Sequence, residues 1–324
     1  MPFETAKKVI DELSSDNFKS NFGIVSIGYG TLGDDIINPN FINILRYAKQ
    51  KLPTSPNCFF TNFQNLNKDL ADIIIKENLL DNIICNIDGA TEESYFQVKR
   101  IKLDRSLNNL KYLITKRNEL ESKISISINA ITLNQYIHTI KNNFDFYPLK
   151  LTDKKYASFS DDFIEIEKIL LPIINEKIDT FRRSGIRGWA EREQTNPSKI
   201  NYRNYICPYL NDIKNIAYIA PDGTWFACCL DINFELDLGN VNETTLSTLA
   251  NSKKRKFLID QLEKRQFKVI KGPCLTVNCC QMIYKNQIQT ILVNLSRKYE
   301  LINSIKNILL NKPMIRNIRR KLMD

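Results

Sequence analysis

Continuous apolar runs rich in β-branched residues alternate with amphipathic stretches through about the first 130 residues of the chain. Phe22–Gly28, Asn57–Thr61, Asn82–Ile87 and Ile124–Ile131 read as continuous apolar runs of the kind that strands covered on both faces require. Between and around them, Pro2–Leu13, Asn40–Lys51, Asn67–Glu77 and Asp104–Glu121 repeat apolar residues at helical spacing, with Pro2 suited to a first turn by its fixed φ. The alternation predicts an α/β fold in which a parallel sheet is wrapped by helices. Loops that follow parallel strands leave by one edge, so Gly28–Gly33, Thr61–Gln64 and Asp88–Glu92 are expected close together as a candidate site.

Beyond Thr132 the pattern weakens to helices and irregular chain, and the charged stretch Arg182–Pro197, with its Gly and Pro breakers, reads as a linker. Ile213–Cys229 holds two apolar runs around Pro221-Asp222-Gly223, a turn signal that predicts a β-hairpin whose second strand ends in Cys228-Cys229. A helix over Glu243–Glu263, a loop with Cys274, Cys279 and Cys280, and apolar-basic helices from about Met282 follow. The expected division is 1–181, a linker over 182–203, a cysteine-rich module over 204–283 and a tail over 284–324.

Composition narrows the chemistry. The chain has 324 residues, 43% hydrophobic and 25% charged, with one histidine and eight cysteines. It is long enough for a main domain and a small second one. His138 reads as structural, which argues against a Ser-His-Asp device or a multi-histidine metal site. No run of about eighteen uncharged apolar residues and no charged-then-apolar leader is present, so a cytoplasmic protein is expected. The net charge of +10 owes most to the C-terminal stretch, where nine basic and two acidic residues fall from Lys285 onward. Ile302, Ile305, Ile308 and Leu309 beside Lys298 and Lys306 fit an amphipathic helix, either packed on the body or in weak contact with a membrane surface or partner. Nucleic acid is not an expected partner, since no binding module and no aromatic-basic interleaving is found.

Cys207, Cys228, Cys229, Cys274, Cys279 and Cys280 crowd into less than a quarter of the chain. In a reducing compartment such thiols are metal ligands or buried core residues rather than disulfides. Four thiolates gathered by a hairpin and its flanking loops suit an iron-sulfur cluster or a tetrahedral zinc ion, and spacing alone separates these poorly. Cys58 and Cys85 lie within strands and are expected in the core.

Cys207-Pro208, then Pro221-Asp222-Gly223-Thr-Trp-Phe-Ala-Cys228-Cys229-Leu-Asp231, then Leu238-Gly239-Asn240-Val241 resemble a SPASM module, which in that family binds an auxiliary 4Fe-4S cluster. Carried over by position, Cys207, Cys228 and Cys274 are implied as ligands, with Cys279 the fourth and Cys280 and Cys229 its rivals. The first 135 or so residues resemble the radical S-adenosylmethionine (SAM) domain. Gly28-Tyr29-Gly30-Thr31-Leu32 stands in place of GxGEPL, Thr61-Asn62 of TNG, Ile87-Asp88-Gly89-Ala90 of SiDGa, and Arg100 where R-x-G follows. The resemblance implies a partial (β/α) barrel lacking its first strand, with Gly28, Gly30, Thr61, Asn62, Asn86 and Asp88 around SAM. No catalytic residue is assigned.

The pattern departs from the family at several positions. No cysteine precedes Cys58, so the CxxxCxxC loop of the SAM-cleaving cluster has no counterpart, Met1 is expected to be a false start, and this chain alone is not expected to make the radical. Thr31 replaces the Glu that contacts the cofactor amine, Phe63 a Gly, and Asn86 a Ser. The implied function is SAM-dependent radical modification of a peptide or small molecule. The alternatives are a non-catalytic binding protein and a zinc-stabilised scaffold.

Overall fold

A computed structural model describes residues 1–23, 25–30, 33–132, 164–185, 202, 205–270, 272–275 and 281–282. Its main body is a five-stranded sheet in the order β1-β2-β3-β4-β5 (Ile27–Tyr29, Asn57–Thr61, Asn82–Ile87, Ser125–Thr132, Thr180–Gly185), with every neighbouring pair parallel. The helices α1 (Phe3–Ser14), α2 (Asp16–Phe22), α3 (Phe41–Lys51), α4 (Lys68–Lys76), α5 (Glu92–Lys99), α6 (Leu103–Glu119) and α7 (Ile164–Leu170) surround it in sequence. Their starts follow from local chemistry. Asn67 accepts the Leu70 amide at the head of α4, and Thr91 and Ser94 form a reciprocal capping box on α5.

The expected parallel sheet is present, with three corrections. Strand one does not begin at Phe22, because Ser15 caps a second helix by accepting the Phe18 amide, and that helix runs through Phe22 before Gly23 ends it. The stretch expected as linker from 182 is partly strand, since β5 continues to Gly185. Finally, among the described residues the helices cover only one face of the sheet. Residues alternate buried and half-buried along β2 and β3. Phe59, Ile83, Cys85, Ile87, Ile126 and Ile128 form the core under the helices. Cys58 and Phe60 of β2, Asn82, Ile84 and Asn86 of β3, and Ser125, Ser127 and Asn129 of β4 line a half-exposed and mostly polar opposite face. Cys58 is therefore half-buried on that face, whereas Cys85 is in the core.

A buried ion pair fixes the last strand. Arg117 of α6 and Asp179, just before β5, are 1% and 0% exposed. Asp179 also accepts the Ile126 and Asn175 amides at 2.8 and 2.7 Å, and Arg117 donates to the Ile124 carbonyl at 2.6 Å. Such a fully partnered pair repays its desolvation through its hydrogen bonds, and losing one partner strands the other charge.

The second body consists of β6 (Tyr205–Ile206), α8 (Leu210–Asn215), the antiparallel strands β7 (Tyr218–Ile219), β8 (Thr224–Phe226) and β9 (Asp237–Asn240), the helices α9 (Leu246–Ala250) and α10 (Lys253–Glu263), and β10 (Gln281–Met282). The single helix expected over Glu243–Glu263 is two, because Ser252 restarts the chain as the N-cap of α10. This body has its own core, built on Trp225, Leu238, Leu249, Leu262 and Phe267, and Phe18 of α2 inserts into it. Residues of α1 serve both cores: Ala6 and Ile10 belong to the first, while Val9 and Leu13 pack on the second. Glu12 of α1 accepts the Leu246 and Ser247 amides of α9, each at 2.7 Å, and Lys8 donates to the Asn242 carbonyl at 2.7 Å.

Candidate functional sites

At the C-terminal ends of β1, β2 and β3 the sheet brings together most of the residues singled out for a cofactor. Gly28 lies within β1, and Gly30 follows it at φ +87°, where a Cβ would stand 2.1 Å from the Phe60 carbonyl oxygen. Glycine is required there by both backbone angle and space. Thr61 closes β2 and accepts the Phe63 amide at 3.0 Å, while Asn62 accepts the Gln64 amide at 2.9 Å. Phe63 takes the position's left-handed backbone at φ +62° although it carries a side chain. Full burial of its ring and a 2.8 Å hydrogen bond from Asn109 to its carbonyl hold it there. Asn86 accepts a 3.2 Å hydrogen bond from Asn129. Asp88 pairs with Lys99 at 2.6 Å through one carboxylate oxygen, and its other oxygen is buried without a partner. Arg100 ends α5 in a left-handed cap, its guanidinium over the Phe96 ring. Thr31 lies outside the described residues, as does His138.

One residue at this edge escaped the sequence reading. Both carboxylate oxygens of Asp34 are buried and make no well-formed hydrogen bond. Burial pushes the Asp34 pKa up, and Thr61, the Ile36 amide and Asn65, which face it, only partly offset that push. Its neighbour Asp35 is satisfied, accepting the Gly30 amide at 2.7 Å. A buried carboxylate with only neutral donors around it among the described residues is costly, and a cationic donor is the group that would relieve it. Its signal in the sequence was the acid pair Asp34-Asp35, three residues past the position where an acid was sought.

In the second body, Cys207, Cys228 and Cys274 are all buried in one core cluster although they come from three separate segments. Cys207 follows β6. Cys228 and Cys229 lie not in β8, as expected, but in the loop after it. Asp231, fully buried, shapes that loop by accepting the Glu235 and Leu236 amides at 3.0 and 2.7 Å. Cys274 sits in a 3-10 turn, Gly272–Leu275, tied down by the Tyr202 hydroxyl, which donates to the Leu275 carbonyl at 2.8 Å. At Gly272, φ +73°, a Cβ would stand 3.0 Å from the Glu235 side chain, so this turn rests directly on the Cys228 loop. Antiparallel pairing of Gln281 with Ile206 returns the chain to the side of Cys207. The Cys229 thiol is drawn below its ordinary pKa, first by the Cys228 thiol and then, against its burial, by the Tyr218 hydroxyl, so it stands beside the Cys228 position. Cys279 and Cys280 lie outside the described residues. Among the described residues no three His, Cys, Asp or Glu side chains are already gathered closely enough to hold a single metal ion.

Residues 207–281 match the SPASM family of iron-sulfur cluster-binding domains. No curated protein sequence matches the chain. Among solved structures, Streptococcus suis SuiB aligns at 16% identity and a TM-score of 0.50, over 84% of this chain and 69% of its own. Native anSMEcpe with bound AdoMet (SAM) and the Cp18Cys peptide aligns at 13% identity and a TM-score of 0.52, over 95% and 92%. Both are radical SAM enzymes of the SPASM type.

The chain carries a SPASM domain over residues 207–281 and shares the fold of these two enzymes.

The SPASM domain accounts for the second core, and the five-stranded sheet for the body on which it rests. Among the described residues no helix is long and apolar enough to cross a membrane. The basic stretch from Lys285 lies outside the described residues.

Proposed function

We propose that this SPASM protein holds one auxiliary 4Fe-4S cluster on Cys207, Cys228, Cys274 and Cys279, and binds SAM at the strand ends of a partial (β/α) barrel for modification of a peptide or small molecule. The observation that carries the first part is the burial, in one core, of three cysteines delivered by separate segments within the matched domain. Their soft donors fit iron-sulfur ligation. A bound cluster would supply electron transfer or a substrate anchor. The protein's own part is to exclude water around these thiols and to fix the Cys228 loop through Asp231. Iron, acid-labile sulfide and zinc per chain, measured after anaerobic reconstitution, test it. About four irons and four sulfides are expected; stoichiometric zinc with little sulfide would replace the cluster with a zinc-stabilised scaffold.

Bound SAM would supply the radical chemistry of the class. The residues present fit its binding, because Asp34 offers an ammonium group a buried carboxylate that no cation among the described residues pairs with, and Asp88 offers a free oxygen to a hydroxyl. Asp34→Asn is expected to weaken SAM at least tenfold by calorimetry while leaving methylthioadenosine, which has no ammonium, unchanged. The variant should also alter stability without ligand. A carboxyl with a raised folded-state pKa holds its proton more tightly folded than unfolded, so stability falls as pH rises from the ordinary aspartate value through the raised one. Asn abolishes that fall, measurable as a flatter melting temperature against pH. A second reading, a non-catalytic binding protein, is favoured by Phe63 and Asn86, which stand where the cofactor motifs of the family have Gly and Ser. Formation of 5′-deoxyadenosine by the reduced protein separates the two.

A further inference from the structure

The charge of the chain is divided unevenly. Residues 1–252 hold 29 basic and 32 acidic side chains, whereas the residues from Lys253 onward hold 17 and 4. In the structure that excess begins on α10, whose first turn is Lys253-Lys254-Arg255-Lys256 and contains no acid. Cations at a helix N-terminus oppose its dipole, so this placement works against the helix rather than for it. Arg255 is used inside the domain: its guanidinium lies over the Trp225 ring and donates to the Ala250 and Ile213 carbonyls at 2.9 and 3.2 Å. Lys254 reaches Asp237 at 2.7 Å. Lys253 and Lys256 are exposed and have no acidic partner among the described residues. One turn beyond Lys253 stands Phe257, 52% exposed, while Leu258, Gln261 and Leu262 form the buried side of the helix. Asp260, on the same outer side, is neutralised by Lys264 at 2.8 Å. In the turn that follows, Lys268 is exposed and so is Val269.

We propose that the outer side of α10 docks on an anionic lipid bilayer, its lysines at the level of the headgroups and the Phe257 ring between them. Three features favour lipid over another polyanion. The exposed charges are lysines, compact charges on flexible apolar stems that can follow mobile headgroups, whereas the single arginine, whose rigid fork suits a fixed carboxylate or phosphate, is spent inward. Lysine is depleted at protein–protein interfaces, so a face built from lysines is poorly made for an acidic protein. A nucleic-acid backbone would leave the exposed ring in water, while the boundary between headgroups and acyl chains would cover it. Each lysine close to an anionic surface contributes about fivefold in affinity. A few of them with one ring give reversible docking, and the C-terminal stretch from Lys285, with nine basic and two acidic residues, adds to the same attraction. The remainder of the chain is slightly negative and is not attracted, which turns the SPASM domain toward the surface. This docking requires neither the cluster nor SAM.

The test is flotation of the reconstituted full chain with vesicles of phosphatidylcholine alone or with about 30% phosphatidylglycerol, at about 0.1 M and about 0.5 M salt. Binding to the anionic vesicles is expected to be at least tenfold tighter than to the neutral ones and to be lost at the higher salt. Lys253→Glu with Lys256→Glu should weaken it tenfold or more. Lys76→Glu with Lys168→Glu, an equal reversal at exposed positions of α4 and α7, should change it less than threefold. Lys253→Gln with Lys256→Gln serves if the Glu variant loses its fold by circular dichroism. Phe257→Trp should show emission that is blue-shifted by the anionic vesicles and quenched by brominated lipid, beyond any response of Trp189 and Trp225 in the unaltered protein. Binding indifferent to the α10 variants assigns attachment to the C-terminal stretch and overturns the proposal. So does a lack of preference for anionic vesicles, or equal affinity for polyglutamate or duplex RNA with no quenching at position 257. Iron and sulfide content on the same samples keeps the claims apart: vesicle binding without a cluster upholds the docking and removes the metal assignment, and a cluster without vesicle binding does the reverse.

Discussion

The sheet and the SPASM domain gather their chemistry in opposite ways. At the sheet, parallel pairing alone carries Gly30, Thr61 and Asp88 to one edge, because every strand points the same way and ends at the same level. In the SPASM domain, the cysteines lie at the ends of short strands and turns with little regular structure between them, and individual contacts hold them together: the Asp231 carboxylate on two amides, the Gly272 turn on Glu235, the β6–β10 pairing. A site of the first kind tolerates changes in its loops as long as the sheet stands. A site of the second kind depends on each of its ties.

Breaking that comparison starts with the ligands. Cys228→Ala should drop iron and sulfide from about four per chain to well below one, whereas Cys58→Ala, on the open sheet face, should leave the metal content unchanged. Equal retention in both would remove the ligand assignment. Next in size is Arg117→Ala, which strands the buried Asp179 charge and should cost about 3–5 kcal/mol in denaturant unfolding, with β5 losing hydrogen-exchange protection first. Phe63→Gly sharpens the comparison at the sheet edge. It relieves a left-handed backbone worth about 1 kcal/mol but empties a fully buried aromatic site, so a net loss of about 2–4 kcal/mol is expected. The smallest effect belongs to Glu12→Ala, which removes the cap from α9 at about 0.5–2 kcal/mol, and amide exchange should show it in the SPASM domain rather than in the sheet.

What could be read from the chain follows the same division. Strands β2 and β3 match their expected residues, because each is an apolar run closed by turn-forming residues and needs no distant partner to define it. β5 was read largely as linker since its Arg-Arg-Ser-Gly carries no strand signal; its place is set by Asp179 meeting Arg117, a contact 62 positions apart. The helix that displaced the start of β1 was signalled by Ser15 alone. The polar sheet face was already written in β4 as Ser125, Ser127 and Asn129 at every second position, but the isoleucines between them made the strand read as one apolar run. Clustering of the cysteines was visible as spacing. The buried turns that deliver three of them to one core were not, because they rest on single residues such as Asp231 and Gly272.

Helix α1 gives one more consequence, for anyone cutting this protein into parts. It contributes side chains to both cores and lends Glu12 to a helix more than 230 positions away. A fragment limited to residues 207–281 would leave the cavity vacated by Phe18 open to solvent and two amides of α9 without their acceptor. The SPASM domain is thus separate in sequence but not in construction, and a transplant into another scaffold should carry residues 3–22 with it as part of the same unit.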